Sequence, residues 1–214
     1  MKCASLLGVC LWLSLCVSAE YDHPAESEVS RFLRHLDIIP DVIETGPQDF
    51  LNVTYIGNIP ADRGVQLQPM QVRDMPDLKW IANKDNYYTL LMVDPDVPSR
   101  KVPKFKEYLH WLVVNIPGNQ LNLGDVRAAY VGALPLKDTG LHRYVLLLYK
   151  QPDFTKFDVE KVPQQNDEGR IKFSTKQFAE KYKLGIPLAG NFFTSIWSTD
   201  VPALHKAMFR GHVE

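Results

Sequence analysis

An acidic turn organises this sequence: Val93-Asp94-Pro95-Asp96-Val97-Pro98-Ser99-Arg100, directly after the apolar run Tyr88-Thr89-Leu90-Leu91-Met92. Two carboxylates and two prolines at the end of a strand predict a rigid turn, because proline restricts both its own backbone and that of the preceding residue. Taken alone, the stretch is better explained as a structural turn in which aspartate side chains accept hydrogen bonds from backbone amides. The turn therefore marks the end of a strand without indicating a function by itself.

Two further strands carry polar side chains of interest. His110 interrupts the apolar run 109–116, and His142 and Tyr144 lie two residues apart in the run 142–149, so they share one strand face while Arg143 points to the other. A buried structural role explains each residue taken alone. Together, the two imidazoles and the phenol are donors that could converge on one anion, with Asp94 supporting a histidine.

Other chemistries are less well supported by the same residues. Two histidines and an aspartate could bind a metal ion, but no ligand pair of the His-Glu-x-x-His type is present, and we predict no metal and no cofactor. Asp94 and His142 could form an acid and base pair for ester hydrolysis. Because no Gly-x-Ser-x-Gly nucleophile motif accompanies them, we do not expect an enzyme.

Short apolar runs separated by turn residues dominate the middle of the chain, whereas helical periodicity occurs near its two ends. The patterns predict strands at 51–56, 87–93, 109–116, 130–133, 142–149 and 191–197, and helices at 26–39, 175–184 and from about 200 to 211, with a long surface connection at 151–171. This arrangement predicts a mostly β, single-domain sandwich of two antiparallel sheets with peripheral N- and C-terminal helices.

The N-terminus has the features of a secretory signal. The chain of 214 residues has three cysteines, Cys3, Cys10 and Cys16, all in an apolar segment that follows Lys2 and ends in Val17-Ser18-Ala19. We predict a signal peptide at residues 1–19 and one domain at residues 20–214. The apolar run of about twelve residues is shorter than the ~20 needed to span a bilayer, so we predict no transmembrane anchor.

Secretion and composition limit the classes of function. Without cysteine after residue 19, the secreted chain has no thiol chemistry and no disulfide. Asn52 begins the sequon Asn52-Val53-Thr54 and is the predicted glycosylation site. Lys and Arg (24) nearly balance Asp and Glu (25), so there is no basic excess for nucleic-acid binding. We expect an extracellular monomer.

The three ordered motifs, Asp94-Pro95-Asp96-x-Pro98-Ser99-Arg100, His110-x-Leu112-Val113-Val114-Asn115-Ile116 and Gly140-x-His142-Arg143-Tyr144, resemble the phosphatidylethanolamine-binding protein family, also called the Raf kinase inhibitor family. The resemblance extends from about residue 38 to the C-terminus. It implies a two-sheet sandwich with a small pocket for phosphate or phosphorylethanolamine. Carried over by position, it places at the pocket Asp94, Pro98, Tyr108, His110, His142, Tyr144 and His205, and it makes Asp96 and Arg143 a supporting ion pair.

Two residues of this chain differ from the common family pattern, and the resemblance implies further structural features. Tyr108 stands where the family often has tryptophan, and His205 where a tyrosine often closes the pocket. Cis peptide bonds are expected before Pro95 and Pro98. A secreted member cannot regulate a cytosolic kinase, so we expect a non-catalytic binding protein for phosphorylated head groups. The alternatives are an extracellular serine protease inhibitor and a carrier of a small hydrophobic ligand. If the imidazoles must be charged, affinity should fall as the pH rises through about 6.5.

Overall fold

The computed structural model describes residues 26–209, so the predicted signal peptide and the end of the predicted last helix lie outside the described residues. The strands are β1 (Asp49–Phe50), β2 (Asn52–Tyr55), β3 (Ile59–Pro60), β4 (Asp77–Lys79), β5 (Tyr87–Asp94), β6 (Tyr108–Pro117), β7 (Asp125–Ala128), β8 (His142–Lys150) and β9 (Ala189–Ser195). The helices are α1 (Glu28–His35), α2 (Ile38–Asp41), α3 (Thr175–Lys181) and α4 (Val201–Phe209). The chain is mostly β, as the sequence predicts.

The strands form two sheets. The larger sheet has six strands in the order β1-β9-β8-β5-β6-β7, and the smaller has three in the order β3-β2-β4. Among the strands described, only β1 and β9 pair in parallel, which differs from the predicted purely antiparallel arrangement. The edge strand β1 is only two residues long, so the parallel pairing adds little to the sheet. The antiparallel pairs β5/β6 and β5/β8 lie at its centre.

The larger sheet is apolar on both faces. Leu90 and Met92 of β5 belong to one core cluster together with side chains of the smaller sheet, whereas Leu91 and Val93 belong to a second cluster with side chains of α1 and α3. Successive strand residues point to opposite faces, so a strand covered on both sides must be apolar at nearly every position. This explains why the central strands appear in the sequence as continuous apolar runs.

The predicted helices are too long. The helix predicted at 26–39 ends at His35, because Asp37 adopts a left-handed backbone with φ of 56°, and α2 follows as a separate turn. The helix predicted at 175–184 begins as expected, with the side chain of Ser174 accepting from the Gln177 amide, but ends at Lys181. Lys183 also has a left-handed backbone, with φ of 53°, which a continuing helix does not allow.

Several other local predictions are corrected. Residues 130–133 are not a strand but an irregular segment tied to β6, with the Val131 amide donating to the His110 carbonyl at 2.9 Å. The bond before Pro98 is cis as expected, whereas the bond before Pro95 is not among the cis bonds. There the Asp96 amide donates to the Asp94 side chain at 2.7 Å, and this side-chain bond shapes the turn. No helix within residues 26–209 has the length and apolarity to cross a membrane.

Candidate functional site

A small pocket lies where three central strands meet. Because β5 runs antiparallel to both β6 and β8, its last residue, Asp94, lies beside Tyr108 and His142, the first residues of those two strands. The cavity has a volume of about 120 Å³. The structure brings to it all seven residues predicted from the sequence, Asp94, Pro98, Tyr108, His110, His142, Tyr144 and His205.

Strand alternation explains how the aromatic rings come together. His142 and Tyr144 share a face of β8, with ring centroids 6.5 Å apart, and His110 of β6 lies with its centroid 5.1 Å from that of Tyr144. Tyr108 lies two residues before His110 on the same face of β6, and the centroids of the two rings are 4.8 Å apart. The rings therefore form one continuous wall built on strands of a buried sheet.

The surroundings of His142 favour its imidazolium form. Its Nδ1 lies 2.7 Å from Asp94 Oδ2, and both side chains are 3% exposed. Its Nε2 lies 3.0 Å from Thr139 Oγ1, whose only hydrogen is donated to the Leu136 carbonyl at 2.7 Å. Thr139 must therefore accept, so both ring nitrogens of His142 carry hydrogen. Burial opposes this charge, but the hydrogen bond and the negative charge of Asp94 outweigh it and raise the pKa of His142.

His110 is the opposite case. Its Nδ1 lies 2.8 Å from the Val131 carbonyl, which can only accept, so this nitrogen carries the hydrogen. Burial, reinforced by the positive charge of Arg170, lowers the pKa of His110 to about 3 against the weaker effect of the Val131 hydrogen bond. The ring is neutral at physiological pH and its Nε2 is an acceptor. The interpretation of both imidazoles as donors is therefore wrong for His110.

The two phenols remain protonated. Burial and then the negative charges of Asp94 and Asp96 raise the pKa of Tyr144. Burial and a hydrogen bond to Asp167 raise the pKa of Tyr108, whose hydroxyl donates to Asp167 Oδ1 at 2.5 Å. Both phenols therefore keep their hydrogen at neutral pH, and within the protein Tyr108 donates it to Asp167 and Tyr144 to Asp94.

Behind the pocket, Asp96 and Arg143 pair as the sequence predicts. The guanidinium of Arg143 donates to the two oxygens of Asp96 at 2.6 and 2.9 Å, and the side chains are 3% and 1% exposed. Arg143 also donates to Asp41 of α2 at 2.9 Å and to the Leu36 carbonyl at 2.8 Å, and Lys106 forms a further ion pair with Asp41. The network connects the acidic turn to the N-terminal segment.

Comparison with known proteins shows which family has this fold. A family model described as phosphatidylethanolamine-binding protein matches residues 51–193. The chain belongs to this family. It is 35% identical over 195 residues to putative odorant-binding protein A5 of Drosophila melanogaster, covering 91% of this chain and 92% of that protein. It is 39% identical over 158 residues to a 26 kDa secreted antigen of Toxocara canis, covering 74% of this chain and 60% of the antigen.

A solved structure of a carboxypeptidase Y inhibitor, complexed with its cognate proteinase, superposes with a TM-score of 0.67 and 25% identity over 79% of this chain and 95% of the inhibitor. The resemblance inferred from the three motifs is thus confirmed at the level of the family. The individual binding roles of the seven pocket residues stay predictions.

As a phosphatidylethanolamine-binding protein family member, the chain has pocket features that the sequence reasoning missed. Asp167 lines the pocket from the connection at 151–171, and Thr139 reaches His142 from the preceding turn. The sequence feature that could have indicated a residue such as Asp167 is Tyr108. A tyrosine in place of tryptophan brings a hydroxyl that needs a hydrogen-bond acceptor when it is buried. Within residues 26–209, no group of three or more His, Cys, Asp or Glu side chains could hold a metal ion.

The predicted glycosylation site is separate from the pocket. Asn52 is exposed on β2, the middle strand of the smaller sheet, and its side-chain oxygen accepts from Thr54 Oγ1 at 3.3 Å. The surface is therefore accessible to a transferase, and glycosylation at Asn52 stays a prediction.

Proposed function

We propose that this family member is a secreted, non-catalytic binding protein for phosphorylated head groups, such as phosphate, phosphorylethanolamine or the head of phosphatidylethanolamine. The observation that carries the proposal is the convergence of an imidazolium, a phenol and a neutral imidazole from β8 and β6, the two strands that flank β5, on one cavity of about 120 Å³. Pockets for drug-sized ligands have volumes of about 300–1,000 Å³, so this cavity suits a head group rather than acyl chains.

Each side chain has a defined part in this binding. His142 carries the positive charge, and a phosphate oxygen would replace Thr139 as the acceptor of its Nε2 hydrogen. Tyr144 would donate a second hydrogen bond, with a phosphate oxygen replacing Asp94 as the acceptor of its single hydroxyl hydrogen. His110 offers an acceptor to a protonated phosphate oxygen or to an ammonium group of the ligand. A charge on one imidazole, rather than two, is therefore enough.

The same protonation states disfavour catalysis. In its favoured imidazolium form, His142 has hydrogen on both nitrogens and no lone pair with which to take a proton from a nucleophile. His110 has a free nitrogen, but with a pKa of about 3 it is a poor base near neutral pH. We infer that the site binds its ligand without converting it.

Calorimetric titration with phosphorylethanolamine tests the proposal. His142→Gln removes a charged hydrogen bond worth about 1.5–3 kcal/mol, so its affinity should fall about 10- to 100-fold. The matched control is His35→Gln, because His35 is an exposed histidine on α1. Tyr144→Phe keeps the buried ring and should cost about fivefold. Equal affinity in His142→Gln and the wild type, with both proteins folded, would refute the pocket assignment.

Similarity to a carboxypeptidase Y inhibitor favours protease inhibition as a second candidate. Assays of extracellular serine proteases and carboxypeptidases with micromolar protein test this function directly. If Tyr144→Phe and the wild type inhibit equally, inhibition uses a surface other than the pocket. No inhibition across the panel removes the candidate.

Similarity to putative odorant-binding protein A5 favours a third candidate, a carrier of a small hydrophobic ligand in an extracellular fluid. Native mass spectrometry of protein purified from its own secretion distinguishes the two binding functions. A copurified phosphate ester supports the proposed function, whereas a copurified apolar molecule without phosphorus supports the carrier.

A further inference from the structure

We propose a second binding site on this protein, a groove beside α3 that takes a small, neutral, apolar molecule with one carbonyl, ether or alcohol oxygen. The groove shares no lining residue with the head-group pocket. The inference therefore goes beyond the proposed function and does not depend on phosphate binding.

Three segments of the chain form this groove, which we call the α3 groove. Helix α3 contributes Ala179, the turn after α2 contributes residues 43–45, and the segment 185–187 before β9 completes the wall. Its volume is about 680 Å³, whereas the head-group pocket has about 120 Å³. Sites for drug-sized ligands have volumes of about 300–1,000 Å³, so the α3 groove has room for a molecule that the pocket cannot hold.

The α3 groove contains a buried hydroxyl without a partner. Tyr149 of β8 lines the groove and is only 1% exposed. Its ring belongs to the core cluster that includes side chains of α1 and α3, whereas Tyr144 of the head-group pocket belongs to the cluster on the other face of the sheet. Within residues 26–209, the Tyr149 hydroxyl has no hydrogen-bond partner, although a buried tyrosine hydroxyl usually has one.

A second tyrosine shows why this hydroxyl is unusual. The hydroxyl of Tyr182, at the end of α3, also lacks a partner, but it is fully enclosed and does not line the groove. The hydroxyl of Tyr149 is not enclosed, so it can reach a ligand atom in the groove. Burial, and then the negative charge of Glu107, raise the pKa of Tyr149. The phenol therefore keeps its hydrogen at neutral pH and can donate it to an oxygen of the ligand.

The charges around the α3 groove favour a neutral ligand. Glu44 and Lys176 form an ion pair at its edge. Glu180 and Lys183 add one charge of each sign. The four charges sum to zero, so the groove offers no net attraction to an anion or a cation. The buried carboxyl of Glu107, whose pKa is about 7, further disfavours an anionic ligand when it is ionised.

A groove filled only with water, to which the Tyr149 hydroxyl donates, is the competing explanation. Tyr149→Phe separates the two explanations, because it keeps the buried ring and removes only the hydroxyl. The matched control is Tyr182→Phe, which removes a hydroxyl that also lacks a partner but lies outside the groove.

The experiment uses three probes of similar size. Acetophenone has a carbonyl oxygen, α-methylstyrene has a methylene group in place of that oxygen, and benzoate is an anion. Each is titrated into nitrogen-15-labelled wild type and both variants, and binding is followed by the amide chemical shifts. Residues Thr45 and Gly185 report on the α3 groove, and His142 and Tyr144 report on the head-group pocket.

Acetophenone should shift the amides of the α3 groove. Its affinity should fall about fivefold in Tyr149→Phe, because one neutral hydrogen bond is lost. The affinity of α-methylstyrene should not fall in this variant, since that probe has no acceptor. Tyr182→Phe should leave both affinities unchanged, and benzoate should bind the wild type more weakly than acetophenone does.

Three results would overturn the inference: no probe shifts the groove amides at millimolar concentration, the shifts occur at the head-group pocket instead, or Tyr149→Phe leaves the affinity of acetophenone unchanged or weakens both uncharged probes equally. Benzoate binding as tightly as acetophenone would overturn the selection of a neutral ligand. Phosphorylethanolamine, titrated into the same samples, tests the proposed function separately, because its binding should be equal in the wild type and in Tyr149→Phe.

Discussion

His110 should remain neutral from pH 8 down to about pH 4, although it lies in a pocket that we propose binds anions. Its Nδ1 hydrogen is donated to the Val131 carbonyl at 2.8 Å, and the side chain is buried with the guanidinium of Arg170 behind it. Protonation would place a second positive charge in a desolvated site. Burial, the larger cause, and Arg170 together lower the pKa to about 3.

The magnitude follows from linkage between protonation and folding. The pKa of His110 is about 3 in the folded protein and 6.5 in the unfolded chain, a difference of about 3.5 units. Each unit corresponds to about 1.4 kcal/mol, so His110 contributes roughly 5 kcal/mol to the free energy of unfolding. The sign is set by the depressed pKa: the contribution is complete above pH 6.5 and is lost as the pH falls toward 3.

Two measurements check this prediction. Nitrogen-15 correlation spectra of the imidazole rings should show one His110 tautomer, hydrogen on Nδ1, that is unchanged between pH 8 and pH 4. Urea unfolding of the wild type and of His110→Asn at several pH values gives the part of the unfolding free energy that depends on His110 protonation. The side-chain amide of the variant can still donate to Val131. The wild type should lose roughly 4 kcal/mol relative to the variant between pH 6.5 and pH 3, because the transition is incomplete at both ends of this range.

The same spectra should show His142 titrating in a different pH range from His110. His142 has its pKa raised, so it should carry hydrogen on both nitrogens at pH 6.5 and titrate only above that pH. Titration of His110 with a midpoint near 6.5 would refute the reasoning, as would a His110→Asn variant with the same acid sensitivity as the wild type. The expectation from the sequence, that affinity falls as the pH rises through about 6.5 if the imidazoles must be charged, would then apply to both rings.

Three further predictions concern groups outside the pocket wall. Arg143→Met should lower the free energy of unfolding in urea by about 3–5 kcal/mol, because it leaves the buried carboxylate of Asp96 unpaired. Burial raises the pKa of Glu107 to about 7, against hydrogen bonds from Thr175, so Glu107→Gln should remove a stability loss of roughly 3 kcal/mol between pH 4.5 and 7. Asn52→Gln, expressed through a secretory pathway, should lose one glycan by intact mass without a change in unfolding midpoint.

Much of the pocket could be predicted because strand periodicity is local. The two-residue spacing of His142 and Tyr144 is enough to place both on one face and Arg143 on the other, as the structure shows. The apolar runs likewise predicted the central strands to within one or two residues. The resemblance supplied the remaining positions on the pocket.

The parts that could not be predicted depend on contacts between distant segments. The neutral state of His110 depends on the carbonyl of Val131, and the charged state of His142 on a hydroxyl whose hydrogen is taken by the Leu136 carbonyl. Asp167 lies 59 positions from the tyrosine that fixes it, in a polar connection without periodicity. Strand alternation gives the side of a sheet, but a protonation state requires the identity of each hydrogen-bond partner.

The buried groups around the pocket have opposing responses to pH. Between pH 4.5 and 7, rising pH removes stability through Glu107, whose pKa is raised to about 7, and adds stability through His110, whose pKa is lowered to about 3. The two contributions are of similar size, so in the wild type they should largely cancel each other in this range. Relative to the wild type, stability should fall as the pH rises with His110→Asn, because the opposing contribution of His110 is removed, and it should rise with Glu107→Gln. Urea unfolding across this pH range therefore supports the assigned protonation states only if the two single variants diverge from the wild type in these opposite directions.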